Sequence, residues 1–158
     1  MRMLKTNCIC AEEPLGVPGT YPAGDLPLRG TPPPAGARPE RRTIMIFSAD
    51  VNLCFSLSLL FQDRYRVVTT TNLSAIEELA AGAGANLAIV DESPSECLLK
   101  RLENLRDGSA IIPVIMLYVY NARDVTLDRE FRSRAASVYY KPVEVSVLSR
   151  RIDELLAA

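Results

Sequence analysis

A carboxylate and a lysine each follow an apolar run of this sequence, and they are the residue types best suited to chemistry. Asp91 ends the apolar run 87–90, whereas Lys141 follows the run 137–140. If both runs are strands of one parallel sheet, the two side chains lie at the sheet edge where ligands and reactive groups gather. A carboxylate at that edge is a nucleophile, and a facing lysine offsets the negative charge of the group it attacks. The alternative is a weak, solvated ion pair between two loop ends.

The chemistry open to this chain is narrowed by its lack of histidine. Mechanisms that use imidazole as a base, and any phosphohistidine relay on this chain, are therefore excluded. Cys54 and Cys97 fall in apolar helix patterns and are predicted to be small core residues. Cys8 and Cys10 form the one cysteine cluster, which supplies too few ligands for a tetrahedral zinc site.

The elements that would position Asp91 and Lys141 follow from hydrophobic periodicity. Five runs are apolar or rich in β-branched and aromatic residues, which predicts strands. These runs are residues 43–47, 65–71, 87–91, 111–117 and 137–140. Because a helical pattern follows each run, the sequence predicts an α/β domain with a parallel sheet and right-handed crossovers.

The helix patterns have identifiable starts and apolar faces. Capping-box spacing opens the second helix at Ser74, and Ser93 followed by Pro94 opens the third. The second helix runs through residue 81 and ends at the glycines that follow, the third stops at Asp107, and the fourth spans about 121–134. The apolar faces of the first and last helices are marked by Leu53, Leu57 and Leu60, and by Leu148, Ile152 and Leu155.

Composition divides the chain at about residue 42. Residues 1–42 hold 8 of the 11 prolines and 5 of the 8 glycines, which predicts a disordered arm, and residues 43–158 can form one packed domain. A net charge of −1 gives no reason to expect a nucleic-acid partner. Because no apolar stretch is long enough to cross a bilayer and no secretory signal opens the chain, we expect a cytoplasmic protein without a membrane partner.

Four landmarks of residues 43–158 resemble the receiver domain of two-component response regulators. They are the first strand at 44–47, the strand 87–91 that ends in Asp91, the run 113–117, and the lysine-proline pair at 141–142. The resemblance implies a doubly wound, flavodoxin-like sheet of order 2-1-3-4-5 flanked by five helices. It also implies that Asp91 accepts a phosphoryl group from a histidine kinase or a small phosphodonor. In that family Lys141 would contact the phosphoryl oxygens, and Mg²⁺ would supply most of the remaining positive charge.

The sequence departs from this family at the metal site. Two adjacent acidic residues normally follow the first strand, and Ser48 and Ala49 stand at those positions. The Mg²⁺ ligands implied by the resemblance are therefore Asp91, Asp50 and the backbone carbonyl of Ser93. Asp50 comes one residue late, and its alternative role is the N-cap of the helix that starts near residue 51.

A second departure concerns the conformational switch of the family. Its serine or threonine after the fourth strand is replaced by Tyr118, whose larger ring cannot make the same short contact. The position of its rotating aromatic residue is occupied by Val138. The nearby tyrosines either replace this switch with another packing arrangement or are ordinary strand residues.

Two functions from different classes follow from these departures. The first is a single-domain receiver in phosphorelay signalling that is phosphorylated on Asp91. The second is a pseudo-receiver that binds proteins without phosphoryl transfer. Either would signal to a partner protein in trans or through its own dimer, since we expect no output domain after the fifth helix. A nucleotide-binding enzyme is disfavoured, because Gly82 and Gly84 lie between a helix and a strand and the third glycine of a dinucleotide fingerprint is absent.

Overall fold

A computed structural model describes residues 41–107 and 111–157 of the chain. The predicted disordered arm, apart from Arg41 and Arg42, lies outside the described residues and stays a prediction. Gly108, which follows the predicted end of the third helix, lies outside them as well. No helix within the described ranges is both long and apolar enough to cross a membrane.

Five parallel strands form one sheet whose order is β2-β1-β3-β4-β5, as predicted. The strands are β1 (Thr43–Ser48), β2 (Arg66–Thr70), β3 (Leu87–Asp91), β4 (Val114–Tyr118) and β5 (Ser137–Tyr140). The register pairs Ser48 with Asp91, and Asp91 with Leu117. Because all strands run the same way, these residues and the one after β5 reach the same edge of the sheet.

Helices cover both faces of the sheet, as parallel sheets require. They are α1 (Val51–Phe61), α2 (Ile76–Ala83), α3 (Glu96–Asp107), α4 (Val125–Arg134) and α5 (Val145–Ala157), and short 3₁₀ turns precede α2 and α4. Alternate residues of each strand serve opposite faces. Ile89 and Leu117 pack with α1 and α5, whereas Val90 and Met116 pack in the cluster that holds α2, α3 and α4. The apolar core is therefore two layers separated by the sheet.

The buried face of α1 differs from the predicted one. Leu57 is buried as expected, but its companions are Cys54 and Phe61, and Leu60 is exposed. Eight of the eleven residues of α1 are apolar, so its periodicity does not single out one face. The core prediction is confirmed for Cys54 and wrong for Cys97, which is exposed.

Local hydrogen bonds move several predicted element boundaries. The third helix begins after Ser95, whose hydroxyl accepts from the Leu98 amide, and not after Ser93. Both serines satisfy the chemistry of a cap, so the backbone path leaving β3 decides between them. Strand β4 starts after Pro113, because proline has no amide hydrogen for the sheet.

The second helix is also capped differently from the prediction. Asn72, and not Ser74, caps the 3₁₀ turn that leads into α2, because its side chain accepts from the Ser74 amide. The helix continues two residues beyond the predicted end and stops at Gly84, which has φ of 62°. Glycine adopts this left-handed conformation without the steric cost that other residues incur.

Candidate functional site

The Asp91 carboxylate lies at the carboxyl end of the central strand and is almost fully buried, with 8% of its surface exposed. Its Oδ1 atom forms an ion pair with Nζ of Lys141, the residue that follows β5. A buried carboxylate requires such partners, because leaving water without compensation is costly. The structure thus brings together the two side chains that the sequence placed at one edge of the sheet.

The second oxygen of this carboxylate is held by Ser48. The Ser48 hydroxyl donates to Oδ2 of Asp91 over 2.7 Å and accepts from the Asp50 amide over 3.0 Å. From the sequence alone, Ser48 was interpreted only as the replacement of an acidic residue of the family. The available signal was register: β1 and β3 are neighbours, and Ser48 and Asp91 end them on the same face.

Asp50 serves as the N-cap of α1, the alternative role that the sequence suggested. Its Oδ1 atom accepts from the Asn52 amide over 2.8 Å, and the side chain is solvent-exposed. The cap satisfies one of the amides that the first turn leaves without a helical partner. A metal ion at Asp91 would compete with this bond for Asp50.

An open cleft of about 230 Å³ gives access to the site. Its lining includes three carboxylates and one lysine: Asp50, Asp91, Glu92 and Lys141. Ser93, the predicted source of a carbonyl ligand, also lines the cleft, and its amide donates to the Glu92 carboxylate over 3.0 Å. Sequence reasoning did not single out Glu92, because an acidic residue in a loop is ordinarily solvated.

The donor set fits Mg²⁺ poorly. Within the described ranges, no three carboxylate, cysteine or histidine side chains are arranged to hold a metal ion. Mg²⁺ usually takes one or two carboxylates and several waters in octahedral geometry. Here Asp91 is engaged by Lys141 and Ser48, and Asp50 caps a helix. Lys141 is therefore the cation that the described residues provide to Asp91.

Tyr118 turns away from Asp91 and enters the opposite layer of the core. Its side chain is 2% exposed and packs edge-to-face on Phe131 of α4 and on Tyr140. Alternation along β4 explains this direction, because Tyr118 shares the face of Val114 and Met116. The position expected to carry the switch hydroxyl thus joins β4 to α4.

The Tyr118 hydroxyl belongs to a hydrogen-bonded cluster centred on Asp128 of α4. The hydroxyls of Tyr118 and Tyr140 both donate to Oδ1 of Asp128, over 2.8 and 2.6 Å, and Nε of Arg132 donates to Oδ2 over 3.1 Å. We call these four residues the tyrosine-aspartate cluster. Asp128 lies on a helix with few apolar residues, so no sequence signal identified it.

Charge and burial make the tyrosine-aspartate cluster sensitive to pH. Burial raises the pKa of Asp128, but hydrogen bonds from Tyr140, Tyr118 and Arg132 outweigh it and leave this pKa below its usual value. Burial, followed by the bond to Asp128, raises the pKa of Tyr118. The structure therefore favours a charged Asp128 and a neutral Tyr118.

Val138, at the position of the family's rotating aromatic residue, is partly buried and packs against the same core layer. Its branched side chain has no ring to rotate and no polar group. Tyr140, two residues later on the same face, provides the aromatic contact with Tyr118 instead. A switch role for Tyr118 and Val138 stays a prediction.

Removal of one hydroxyl tests the tyrosine-aspartate cluster. We expect Tyr118→Phe to lower the free energy of unfolding at pH 7 by about 1.5–3 kcal/mol, the range for a hydrogen bond to a charged group. Folding lowers the pKa of Asp128, so the charged carboxylate contributes fully to the free energy of unfolding above the unfolded-state pKa of 3.8. This contribution is lost as pH falls through the lower folded-state pKa. The difference in free energy of unfolding between parent and variant, measured by urea unfolding at several pH values, should therefore shrink below about pH 4.

The matched control is Tyr139→Phe, since the structure shows no bond from the Tyr139 hydroxyl to another described residue. Equal destabilisation by both variants, or a difference that does not depend on pH, would contradict the cluster.

Solved structures share this arrangement of strands and helices. A response regulator from Thermotoga maritima matches with a TM-score of 0.63 and 18% identity, over 75% of this chain and 99% of that one. Chemotaxis protein CheY4 from Vibrio cholerae matches with a TM-score of 0.61 and 18% identity, over 73% of this chain and 98% of that one. A Burkholderia pseudomallei protein described as related to pilus assembly matches with a TM-score of 0.62 and 22% identity, over 75% and 91% of the two chains.

Sequence comparison gives no match: neither a protein-family model nor a curated protein matches this chain. The structural likeness concerns the fold, because the identities are 22% or less. Its strand order and its five helices are those predicted from the landmarks of the sequence. The described domain therefore has the fold of response regulator receiver domains.

Proposed function

We propose that this domain is a receiver of two-component signal transduction that accepts a phosphoryl group on Asp91. The observation that carries the proposal is the ion pair between the buried Asp91 carboxylate and the partly exposed Lys141 at the mouth of an open cleft. This pair combines a nucleophile with a cation that offsets the charge of an incoming phosphoryl group. The donor would be a histidine kinase or a small phosphodonor, and the protein would act in the cytoplasm, where it is a signalling module and not an enzyme with turnover.

The proposed transfer needs few groups. An Asp91 oxygen attacks phosphorus, the bond between phosphorus and the donor's nitrogen or oxygen breaks, and the leaving group keeps the electron pair. Lys141 moves its donated hydrogen bond from the carboxylate to a phosphoryl oxygen, and Ser48 continues to hold the other carboxylate oxygen. Positioning and charge are the main contributions of a protein to phosphoryl transfer.

The signal would leave the site through backbone contacts. The Lys141 amide donates to the Tyr118 carbonyl over 2.9 Å, so movement of Lys141 toward a phosphoryl group pulls on the end of β4. The Tyr118 hydroxyl is committed to Asp128 of α4. We propose that a downstream protein reads the surface formed by α4, β5 and α5.

A second candidate is a pseudo-receiver that docks proteins without phosphorylation. The observation that favours it is that both oxygens of Asp91 already have partners in the chain, Lys141 and Ser48. The acidic pair is absent as well, since Ser48 and Ala49 occupy those positions. One similar structure is described as related to pilus assembly, so chains of this fold are not all described as response regulators.

Intact-mass measurement after incubation with acetyl phosphate or phosphoramidate separates the two candidates. We expect the parent to gain one phosphoryl group and Asp91→Asn to gain none. We expect Lys141→Met to be labelled more slowly by on the order of 100-fold, because it lacks the charge that offsets the phosphoryl oxygens. Circular dichroism of each variant establishes that it is folded.

Labelling that is equal in the parent and in Asp91→Asn would contradict Asp91 as the acceptor. A folded parent that gains no mass would favour the pseudo-receiver.

The Mg²⁺ implied by the resemblance is tested by restoring an acid beside Asp91. We expect the parent to bind Mg²⁺ more weakly than Ser48→Asp does, because it lacks the acidic ligands of a dedicated site. Ser48→Asp places a second carboxylate next to Asp91, so it should lower the melting temperature without Mg²⁺ and regain stability as Mg²⁺ binds.

Ser48→Asn, which has a similar size and no charge, is the matched control for that experiment and should not respond to Mg²⁺. Saturation of the parent below about 1 mM Mg²⁺ would show that the cleft holds the ion without the acidic pair.

A further inference from the structure

Helix α1 presents an apolar stripe to solvent. Of the nine large apolar side chains that are exposed in the described ranges, four lie on α1. Val51 and Phe55 are each 63% exposed and Leu59 is 50% exposed, at a spacing of four residues that places them on one side of the helix. These three side chains form what we call the α1 stripe. The stripe covers on the order of 300 Å², the size at which the largest patch of a monomer is often functional.

A groove runs beside the α1 stripe. It has a volume of about 520 Å³ and is lined by Val51, Cys54, Phe55 and Ser58 of α1 and by residues 69–71 at the end of β2. Strand β2 is an edge of the sheet, so no further strand of the described ranges covers this side. The stripe therefore offers both a projecting aromatic ring and a recess next to it.

We propose that the α1 stripe is the contact between two copies of this chain, related by a two-fold axis that passes close to Phe55 and runs the two α1 helices antiparallel. This arrangement places Phe55 against its own copy and Val51 opposite the Leu59 of the second copy. A smaller side chain then faces a larger one at both ends of the stripe, and each Phe55 ring meets the groove of the other copy. Such a contact uses the same patch on both subunits, as two-fold symmetry requires.

Charge favours a second copy as the occupant. None of the eleven residues of α1 is charged, so two copies of the helix approach without like charges in the contact. The exposed Asp50 lies at the N-terminal end of α1. Arg41 lies at the C-terminal end, where its guanidinium donates to the Gln62 carbonyl over 3.1 Å. Residues 50 and 62 are about 18 Å apart along the helix.

An axis midway between these ends falls near residue 56, one residue from Phe55 at the centre of the α1 stripe. Antiparallel pairing about that axis therefore sets Asp50 of each copy opposite Arg41 of the other. It also aligns the helix dipoles so that the positive end of each α1 lies near the negative end of its copy. The apolar contacts and the pairing of Asp50 with Arg41 thus agree on one axis, although the exposed Asp63 follows Gln62 at the same end of the helix. With the polar rim, both copies would bury on the order of 1,000 Å², the lower limit of a specific interface.

Sedimentation equilibrium of the full chain from about 1 to 500 μM tests the proposal, because dimerisation depends on concentration. We expect a monomer–dimer equilibrium in the parent. Phe55→Lys should raise the dissociation constant at least about 10-fold, since it removes the central apolar contact and places two ammonium groups face to face. Its melting temperature at low concentration should match that of the parent, because Phe55 contributes little to the core of the monomer.

The matched control is Val125→Lys, a change at an exposed apolar residue at the start of α4, whose buried Phe131 packs on the other face of the sheet. We expect it to dimerise like the parent. A parent that stays monomeric at all concentrations, or a Phe55→Lys variant that dimerises as tightly as the parent, would overturn the proposal and leave the α1 stripe to a different protein.

The axis is tested by a double-mutant cycle. Asp50→Asn keeps the helix cap and removes the charge, and Arg41→Gln removes the opposite charge. We expect each change alone to raise the dissociation constant of the dimer by about twofold to fivefold. The double variant should raise it by less than the product of the two single factors, because both changes remove the same contact. Strict additivity would overturn the antiparallel arrangement.

Discussion

The need to compensate a buried carboxylate governs the functional edge of this domain. Asp91 ends the central strand, where the register of its neighbours leaves it little contact with water. It stays there because Ser48 donates to one oxygen and Lys141 forms an ion pair with the other. Lys141 keeps more than a third of its side chain exposed, so the pair is only partly desolvated. Water therefore screens the attraction between the two charges, but the pair also incurs a smaller desolvation cost than a fully buried pair.

The same edge also limits the routes by which the proposed phosphorylation signal would spread. Lys141 is tied to the end of β4 through the carbonyl of Tyr118, while the Tyr118 ring and hydroxyl are tied to α4 through Phe131 and Asp128. A hydroxyl bonded to a charged, partly buried acceptor does not leave it without a comparable replacement. Transmission by the Tyr118 side chain toward Asp91 would require breaking the tyrosine-aspartate cluster. The backbone of β4 and β5 offers a route that leaves the cluster intact.

Much of the fold could be predicted from the sequence because strands buried on both faces are continuous apolar runs. Asp91 and Lys141 could be placed together because parallel strands end at one edge. What escaped prediction depends on three-dimensional register or on local competition. Ser48 became a partner of Asp91 only through the pairing of β1 with β3, and Ser95 replaced Ser93 as a cap although both have the same chemistry.

Other residues escaped because their neighbours in sequence carry no signal. Asp128 is one charge among many on α4, and its two tyrosine partners come from different strands. The buried face of α1 was ambiguous because the helix is apolar on most sides. The same apolar residues of α1 that obscured its buried face also form the exposed stripe of the proposed contact between copies.

Reduction of the phosphorylated protein with tritiated borohydride, followed by peptide sequencing, identifies which residue accepts the phosphoryl group. Borohydride converts an acyl phosphate on aspartate to homoserine, so the position of the label identifies the acceptor. We expect tritiated homoserine at position 91 and at no other position. Label at Asp50 or at another carboxylate, with position 91 unchanged, would contradict the role proposed for the buried Asp91 and its partner Lys141.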